Sequence, residues 1–258
     1  MTLKTIELKV ADYMTPNPIS VGLAFPFQDA IDIMEDKGIG NLVVKKNRSI
    51  KGLFTEREIL QYITSYGEIP EIPMKEVLLQ SFTGISLDTT LINAAKIMIL
   101  KKARLLVFVN KKLVGIITAS DMLRGFRKTG INPPLNKAMS RKIYQCTYED
   151  SIIDATKIMD EKRIGSVIIT KRGVPYGIFT ERDLLVNVLS NEVDLKAKVG
   201  GYCSSPLITA KIGIGGNEAA NLMAEKKIKR LMLTDKEKMI GIVTARDVVD
   251  AFQMAENF

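Results

Sequence analysis

Four copies of one pattern, spaced almost evenly along 258 residues, constrain this chain more than any other feature. Each copy is a short apolar run that starts at a glycine and breaks at a threonine. The copies are Gly52-Leu53-Phe54-Thr55-Glu56-Arg57-Glu58, Gly115-Ile116-Ile117-Thr118-Ala119-Ser120-Asp121, Gly177-Ile178-Phe179-Thr180-Glu181-Arg182-Asp183 and Gly241-Ile242-Val243-Thr244-Ala245-Arg246-Asp247. Their starts lie 63, 62 and 64 residues apart. After the third copy Leu184, Leu185, Val188 and Leu189 continue at helical spacing. Each copy therefore reads as a strand feeding a helix, with the threonine at the N-cap and an acid three residues on. A period this regular over the whole chain points to a repeat architecture.

The stretch upstream of each copy is equally regular. Ala30 and Met34, Ala94 and Met98, Ala155 and Met159, and Ala219 and Met223 are spaced i, i+4. With Ile33, Ile97, Ile158 and Leu222 they form the apolar stripe of an amphipathic helix, and are expected in the core. Short aliphatic runs follow (Leu42–Val44, Leu105–Val109, Val167–Ile169, Leu231–Leu233), then polar turns that close a hairpin onto the motif strand. Each unit thus reads strand, helix, strand, strand, helix, an α/β (α+β) fold class built from four βαββα units. Their expected bounds are 8–66, 74–128, 136–191 and 197–256. Units of about 60 residues sit near the lower limit for independent folding, so they should pair and share cores. Pro70-Glu71-Ile72-Pro73, Asn132-Pro133-Pro134 and Glu192–Lys198 link them. Unit one resembles unit three and unit two resembles unit four. Counted back from the motif glycine, Arg104 and Arg230 share a position that Asn41 and Ser166 fill in the odd units. A duplicated two-unit module explains this, and predicts modules 1–131 and 132–258.

The formal charge is +8, with no histidine. Residues 1–130 carry 18 basic and 13 acidic side chains and residues 131–258 carry 19 and 16, so the excess is spread and not gathered in a tail. That favours anionic partners, although a solvated lysine-rich surface accounts for it as well. No apolar run of about 18 residues exists, and Met1-Thr2-Leu3-Lys4 lacks the apolar core of a signal peptide. Cys146 and Cys203 are too few for a disulfide framework or a thiolate metal site. A cytoplasmic protein without contact to a membrane is expected. Without histidine the usual general base and metal ligand are missing, and neither a phosphate loop nor a Gly-x-Ser-x-Gly elbow occurs. No enzyme, catalytic residue, metal or required cofactor is expected. Gly213-x-Gly215 invites a dinucleotide reading, but Glu218 stands where the third glycine belongs and no βαβ unit surrounds it.

The four copies of Gly-hydrophobic-x-Thr-x-x-Asp/Glu, each 17 or 18 residues after the helix methionine, resemble the CBS domain. The resemblance runs from about Leu8 to about Phe252. It implies that units pair into Bateman modules, with two clefts between paired units that commonly take AMP, ADP, ATP or S-adenosylmethionine. Carried onto this sequence, Asp121, Asp183 and Asp247 would bind ribose hydroxyls. Thr118, Thr180 and Thr244, and with them Thr55, would contact ribose or phosphate. Arg104 and Arg230 would reach phosphates, and Arg182 and Arg246 belong to the same candidate set. Adenine would lie against backbone near Tyr144-Gln145-Cys146 or Pro206-Leu207-Ile208, which makes Cys146 and Ile208 candidates. Unit one departs from the pattern, with Glu58 in place of Asp and no counterpart of Arg104.

The chemistry stands without the family. A carboxylate accepts from two vicinal hydroxyls at once through charge-assisted bonds, and a helix start and an arginine fork both suit phosphate. Yet Thr-x-x-Asp/Glu is also a capping box, which selects the same residues for stability alone. The reading expected from the resemblance is a regulatory, energy-sensing protein with adenine nucleotide as ligand and a separate effector protein. Its layout is similar to that of the regulatory gamma subunit of AMP-activated kinase. A nucleic-acid-binding protein using the basic surface and a ligand-free assembly scaffold are the alternatives. Association of two chains through the modules is open.

Overall fold

The computed structural model describes residues 8–255. The start Met1–Lys4 and the expected end of the fourth unit at residue 256 lie outside the described residues. Strand β1 (Thr15–Pro16) precedes the first repeat, which comprises β2 (Ser20–Gly22), α1 (Phe27–Asp36), β3 (Asn41–Lys46), β4 (Ser49–Thr55) and α2 (Glu56–Tyr66). The second comprises β5 (Phe82–Ser86), α3 (Leu91–Lys101), β6 (Arg104–Val109), β7 (Lys112–Ile117) and α4 (Ala119–Phe126). The third has β8 (Gln145–Thr147), α5 (Ile152–Glu161), β9 (Ser166–Lys171), β10 (Val174–Thr180) and α6 (Glu181–Asp183). The fourth has β11 (Thr209–Lys211), α7 (Gly216–Glu225), β12 (Arg230–Asp235), β13 (Lys238–Thr244) and α8 (Ala245–Gln253). In each repeat the first strand is parallel to the second and the second antiparallel to the third. This is the βαββα order that the sequence predicts.

The apolar stripe explains why the first helix of each repeat forms. Its buried positions follow i, i+3, i+4, i+7: Phe27, Ala30, Ile31, Met34; Leu91, Ala94, Ala95, Met98; Ile152, Ala155, Thr156, Met159; Gly216, Ala219, Ala220, Met223. The alanines let the helix approach its sheet, and each buried methionine contributes about 1.5–3 kcal/mol of burial. The helix after the third motif departs from the expected α-helical spacing. After Asp183 it widens into a π turn over Leu184–Val188 and closes as a 3-10 turn. Ser190 Oγ and Asn191 Nδ2 there donate to the carbonyls five residues back, Leu185 O and Val186 O, which holds the wider turn open.

The motif glycine has a packing reason. In every repeat another segment crosses the third strand at it: Gln80 pairs with Leu53, Thr15 with Ile116, Ser204 with Ile178 and Ser140 with Ile242. A Cβ on Gly177 would sit 2.6 Å from Ser204 O, and one on Gly52 would sit 2.7 Å from Leu79 Cβ. Only glycine admits the crossing chain there.

The chain divides into two compact bodies. Among the described residues, one holds 19–80 and 143–208, that is repeats 1 and 3; the other holds 8–18, 81–142 and 209–255, with repeats 2 and 4. This grouping cuts across the division at Asn132–Pro134 and the expected modules 1–131 and 132–258. Similarity between alternate repeats coincides with shared packing here. In the odd body Phe27 and Phe54 meet edge-on at 5.0 Å within a core that continues through Cys146, Met159, Phe179 and Leu185. In the even body the rings of Phe126 (α4) and Phe252 (α8) stack at 5.0 Å.

Candidate functional site

The threonine corner is built the same way four times. A β-region threonine ends the motif strand, and its side chain caps the following helix while the acid three residues on reaches back to the threonine N–H. One carboxylate oxygen does all of this work. Asp247 Oδ2 accepts from Thr244 N and Thr244 Oγ1, both at 2.7 Å. Asp121 Oδ2 accepts from Thr118 N at 2.8 Å and Oγ1 at 2.7 Å. Asp183 Oδ2 accepts from Thr180 at 2.8 and 2.6 Å, and Glu58 Oε2 from Thr55 at 2.9 and 2.6 Å. Capping thus leaves the second oxygen to decide whether a corner can take a ligand.

On that oxygen the two bodies differ. Glu58 Oε1 accepts from Gln80 Nε2 at 2.5 Å, and the side chain is fully buried, which raises its pKa above the ordinary carboxylate value. Asp183 Oδ1 accepts from Ser204 Oγ at 2.6 Å and Asn187 Nδ2 at 3.1 Å. Both odd corners are therefore closed by protein donors, two of which come from the crossing segments. In the even body, Thr15 and Ser140 at the same crossing positions do not bond the acids. Among the described residues, Asp121 Oδ1 meets only the half-exposed Arg124, at 3.0 Å. Asp247 Oδ1 has no protein donor among the described residues, and burial raises the pKa of this carboxyl.

The candidate arginines also divide. Arg182 donates to Ile39 O at 3.0 Å and pairs with Glu56 at 3.3 Å; Arg57 answers it across the odd body, donating to Ile164 O at 3.0 Å and pairing with Asp160 at 3.2 Å. Arg246 reaches Met98 O and Ala103 O at 3.3 and 3.4 Å. Burial and the nearby Arg104 lower its pKa. Arg104 starts β6 and is exposed, and Arg230 starts β12 opposite Thr244. The structure thus brings Thr118, Asp121 and Arg104 into one body with Thr244, Arg246, Asp247 and Arg230. Thr55, Thr180, Arg182, Asp183 and Cys146 belong to the other. Ile208 immediately precedes β11 and is half-buried. Cys146 lies in the odd core, where burial pushes its thiol up to about 11, and Cys203 is likewise pushed up to about 11. Neither is an activated thiolate near neutral pH. Gln80 and Ser204, which close the odd corners, sit in linkers without a repeating pattern.

A family model described as the CBS domain matches residues 10–65, 72–128, 135–190 and 199–253. The chain belongs to the CBS-domain family. Proteins of tandem CBS domains are generally regulatory, and such domains often bind adenosine ligands. An uncharacterized protein of Methanocaldococcus jannaschii is 26% identical over 261 residues, covering 93% of this chain and 61% of the relative. Inosine-5'-monophosphate dehydrogenase of Helicobacter pylori is 34% identical over 109 residues, which cover 41% of this chain and 22% of that enzyme. The chain thus spans about three fifths of the first of these relatives and less of the second. A solved M. jannaschii structure, described as an archaeal homologue of g-AMPK, superposes with a TM-score of 0.78 at 18% identity, covering 95% of this chain and all of that one. At that identity the likeness shows the CBS fold alone. No helix among the described residues is long and apolar enough to cross a membrane, and no group of three or more His, Cys, Asp or Glu side chains is placed to hold a metal ion.

Proposed function

We propose that this chain is a regulatory protein that senses adenosine compounds (AMP, ADP, ATP or S-adenosylmethionine) through the corners of its even repeats. The observation that carries the reading is the division of work within Asp247. Oδ2 caps α8, while Oδ1 receives no protein donor among the described residues. A carboxylate oxygen held this way is an acceptor for a ribose hydroxyl. Arg230, opposite Thr244 at the start of β12, supplies a cation for phosphate. The family's frequent use of adenosine ligands supports this. To transmit a signal, the ligand must favour one arrangement of the protein over another, read by a separate effector.

Calorimetric titration of AMP, ADP, ATP and S-adenosylmethionine tests it, on the unaltered chain and on Asp247→Ala and Asp183→Ala. Asp247→Ala weakens the bound ligand by about tenfold or more, because a charge-assisted bond is lost. Asp183→Ala changes affinity by less than about threefold, since Ser204 and Asn187 already hold its second oxygen. Unliganded melting separates the cap, about 1 kcal/mol for Asp247→Ala and more for Asp183→Ala, which also strands the Ser204 and Asn187 donors. Equal affinity in the Asp247 variant and the parent would sink the reading.

A further inference from the structure

We propose that repeat 2 carries a binding surface for single-stranded nucleic acid, made of lysine clusters at the two ends of β6 and an aromatic pair between them. Counted by halves of the chain, the positive charge is spread. The repeats alternate between the bodies, however, and the charge sorts with them. The even body has 21 basic and 9 acidic side chains among its described residues, a formal excess of +12, whereas the odd body has 15 and 18. Repeat 2 and the linker after it supply most of the difference. Between Asp88 and Glu149 the chain has twelve basic side chains and one acid, Asp121, which is buried in its corner. Among the described residues, Arg124 alone of those twelve is in an ion pair. A surface with this density of cations attracts polyanions.

The aromatic pair decides which polyanion fits. Phe82 on β5 and Phe108 on β6 stack with ring centroids 6.4 Å apart, and both are half-buried. β5 is an edge strand of its sheet, so the pair lies at the rim. Phe108 reaches that rim over Gly84, where a Cβ would sit 3.2 Å from two of its ring carbons. Each repeat has one residue just past the strand partner of its motif glycine. It is Phe108 here, and Lys45, Thr170 and Thr234 in the others. The fold therefore does not require a ring at this place. The six residues of β6, about 20 Å of strand, separate Lys101 and Lys102 from Lys111 and Lys112, all four exposed, with the rings between the two ends. Charge alone would suit an anionic lipid surface equally well. Rings flanked by cations suit bases flanked by phosphates, since every base has a face to stack and every link an anion. A duplex keeps those faces to itself. The surface makes no use of the adenosine corners.

The test follows the fluorescence anisotropy of a short labelled oligothymidylate added to the full chain over a range of salt. The parent chain binds it, and affinity falls steeply as salt rises. Phe108→Lys installs the residue that repeat 1 has at this register, removing the ring while adding a cation. It weakens the oligonucleotide by about tenfold, whereas binding through charge alone would hold or tighten. Lys111→Glu with Lys112→Glu also weakens it by about tenfold and makes the logarithmic salt slope shallower by about one. Glu237 stands at the register of Lys111 in repeat 4 with the same left-handed backbone, so this turn accepts the change and decides the matter if Phe108→Lys does not fold. Lys46→Glu with Arg48→Glu, on the exposed hairpin of repeat 1 in the odd body, stays within about twofold of the parent. The inference is overturned if the parent does not bind the oligonucleotide, if Phe108→Lys binds it as the parent does, or if duplex DNA competes as well as the single strand. Tighter binding to vesicles of phosphatidylcholine and phosphatidylserine than to the oligonucleotide overturns it as well.

Discussion

At the scale of single residues, the corner acids show how one side chain serves stability and recognition together. The capping oxygen is spoken for in all four repeats, so ligand capacity rests with the other oxygen and with whatever donor a passing segment brings to it. Glu58 is the extreme case, sealed and fully bonded, with a pKa raised above its ordinary 4.5 chiefly by burial. A folded-state pKa above the unfolded one means that the native chain binds the proton more tightly. The charged form therefore costs stability at neutral pH, and that cost falls away as pH drops through the window just above 4.5. Glu58→Gln is expected to melt no lower than the parent at pH 7 and to flatten the pH dependence in that window. Melting curves at half-unit steps check this, and a steeper acid dependence in the variant would contradict it. The corner itself was legible from the Thr-x-x-acid spacing. Its second oxygen was not, because Gln80 and Ser204 lie in linkers and reach the acids only through the crossings over Gly52 and Gly177.

At the scale of elements, helix ends are stitched to one another by the arginines that follow the motif threonines. Arg57 and Arg182 each combine carbonyl and carboxylate acceptors, whereas Arg246 finds two carbonyls among the described residues, at 3.3 and 3.4 Å. Removing Arg57 strands two acids and three carbonyls, Met159 O, Asp160 O and Ile164 O, in a largely buried seam. Arg57→Ala is accordingly expected to cost about 2–3 kcal/mol, and Arg246→Ala about half that or less. Urea midpoints at unchanged slope measure both, and equal losses would show that the acids contribute nothing. Local periodicity announced these helices because the i, i+3, i+4, i+7 stripe is a property of contiguous residues. The π turn at Leu184–Val188 escaped it, since its apolar positions are just as compatible with an ordinary helix.

At the scale of the whole molecule, repeat identity foretold the fold, while the assortment of repeats into bodies needed coordinates. The likeness of unit one to unit three marks a duplicated neighbour pair, a statement about descent. The same likeness also reflects packing, because the helices of repeats 1 and 3 share one core and those of repeats 2 and 4 another. A fragment 1–131 carries one repeat from each body and leaves both sets of helices uncovered. It is expected to self-associate in size-exclusion chromatography, and a cooperatively folding monomer would refute that expectation. The alternation along the chain has a further consequence for synthesis. While a ribosome is still making the third repeat, neither body has all of its parts, and the apolar stripes of α1 and α3 wait in the open. The odd body can close once residue 208 has emerged, and the even one only near the end of α8. Until residue 208 has emerged, these apolar faces have no complete core to close on.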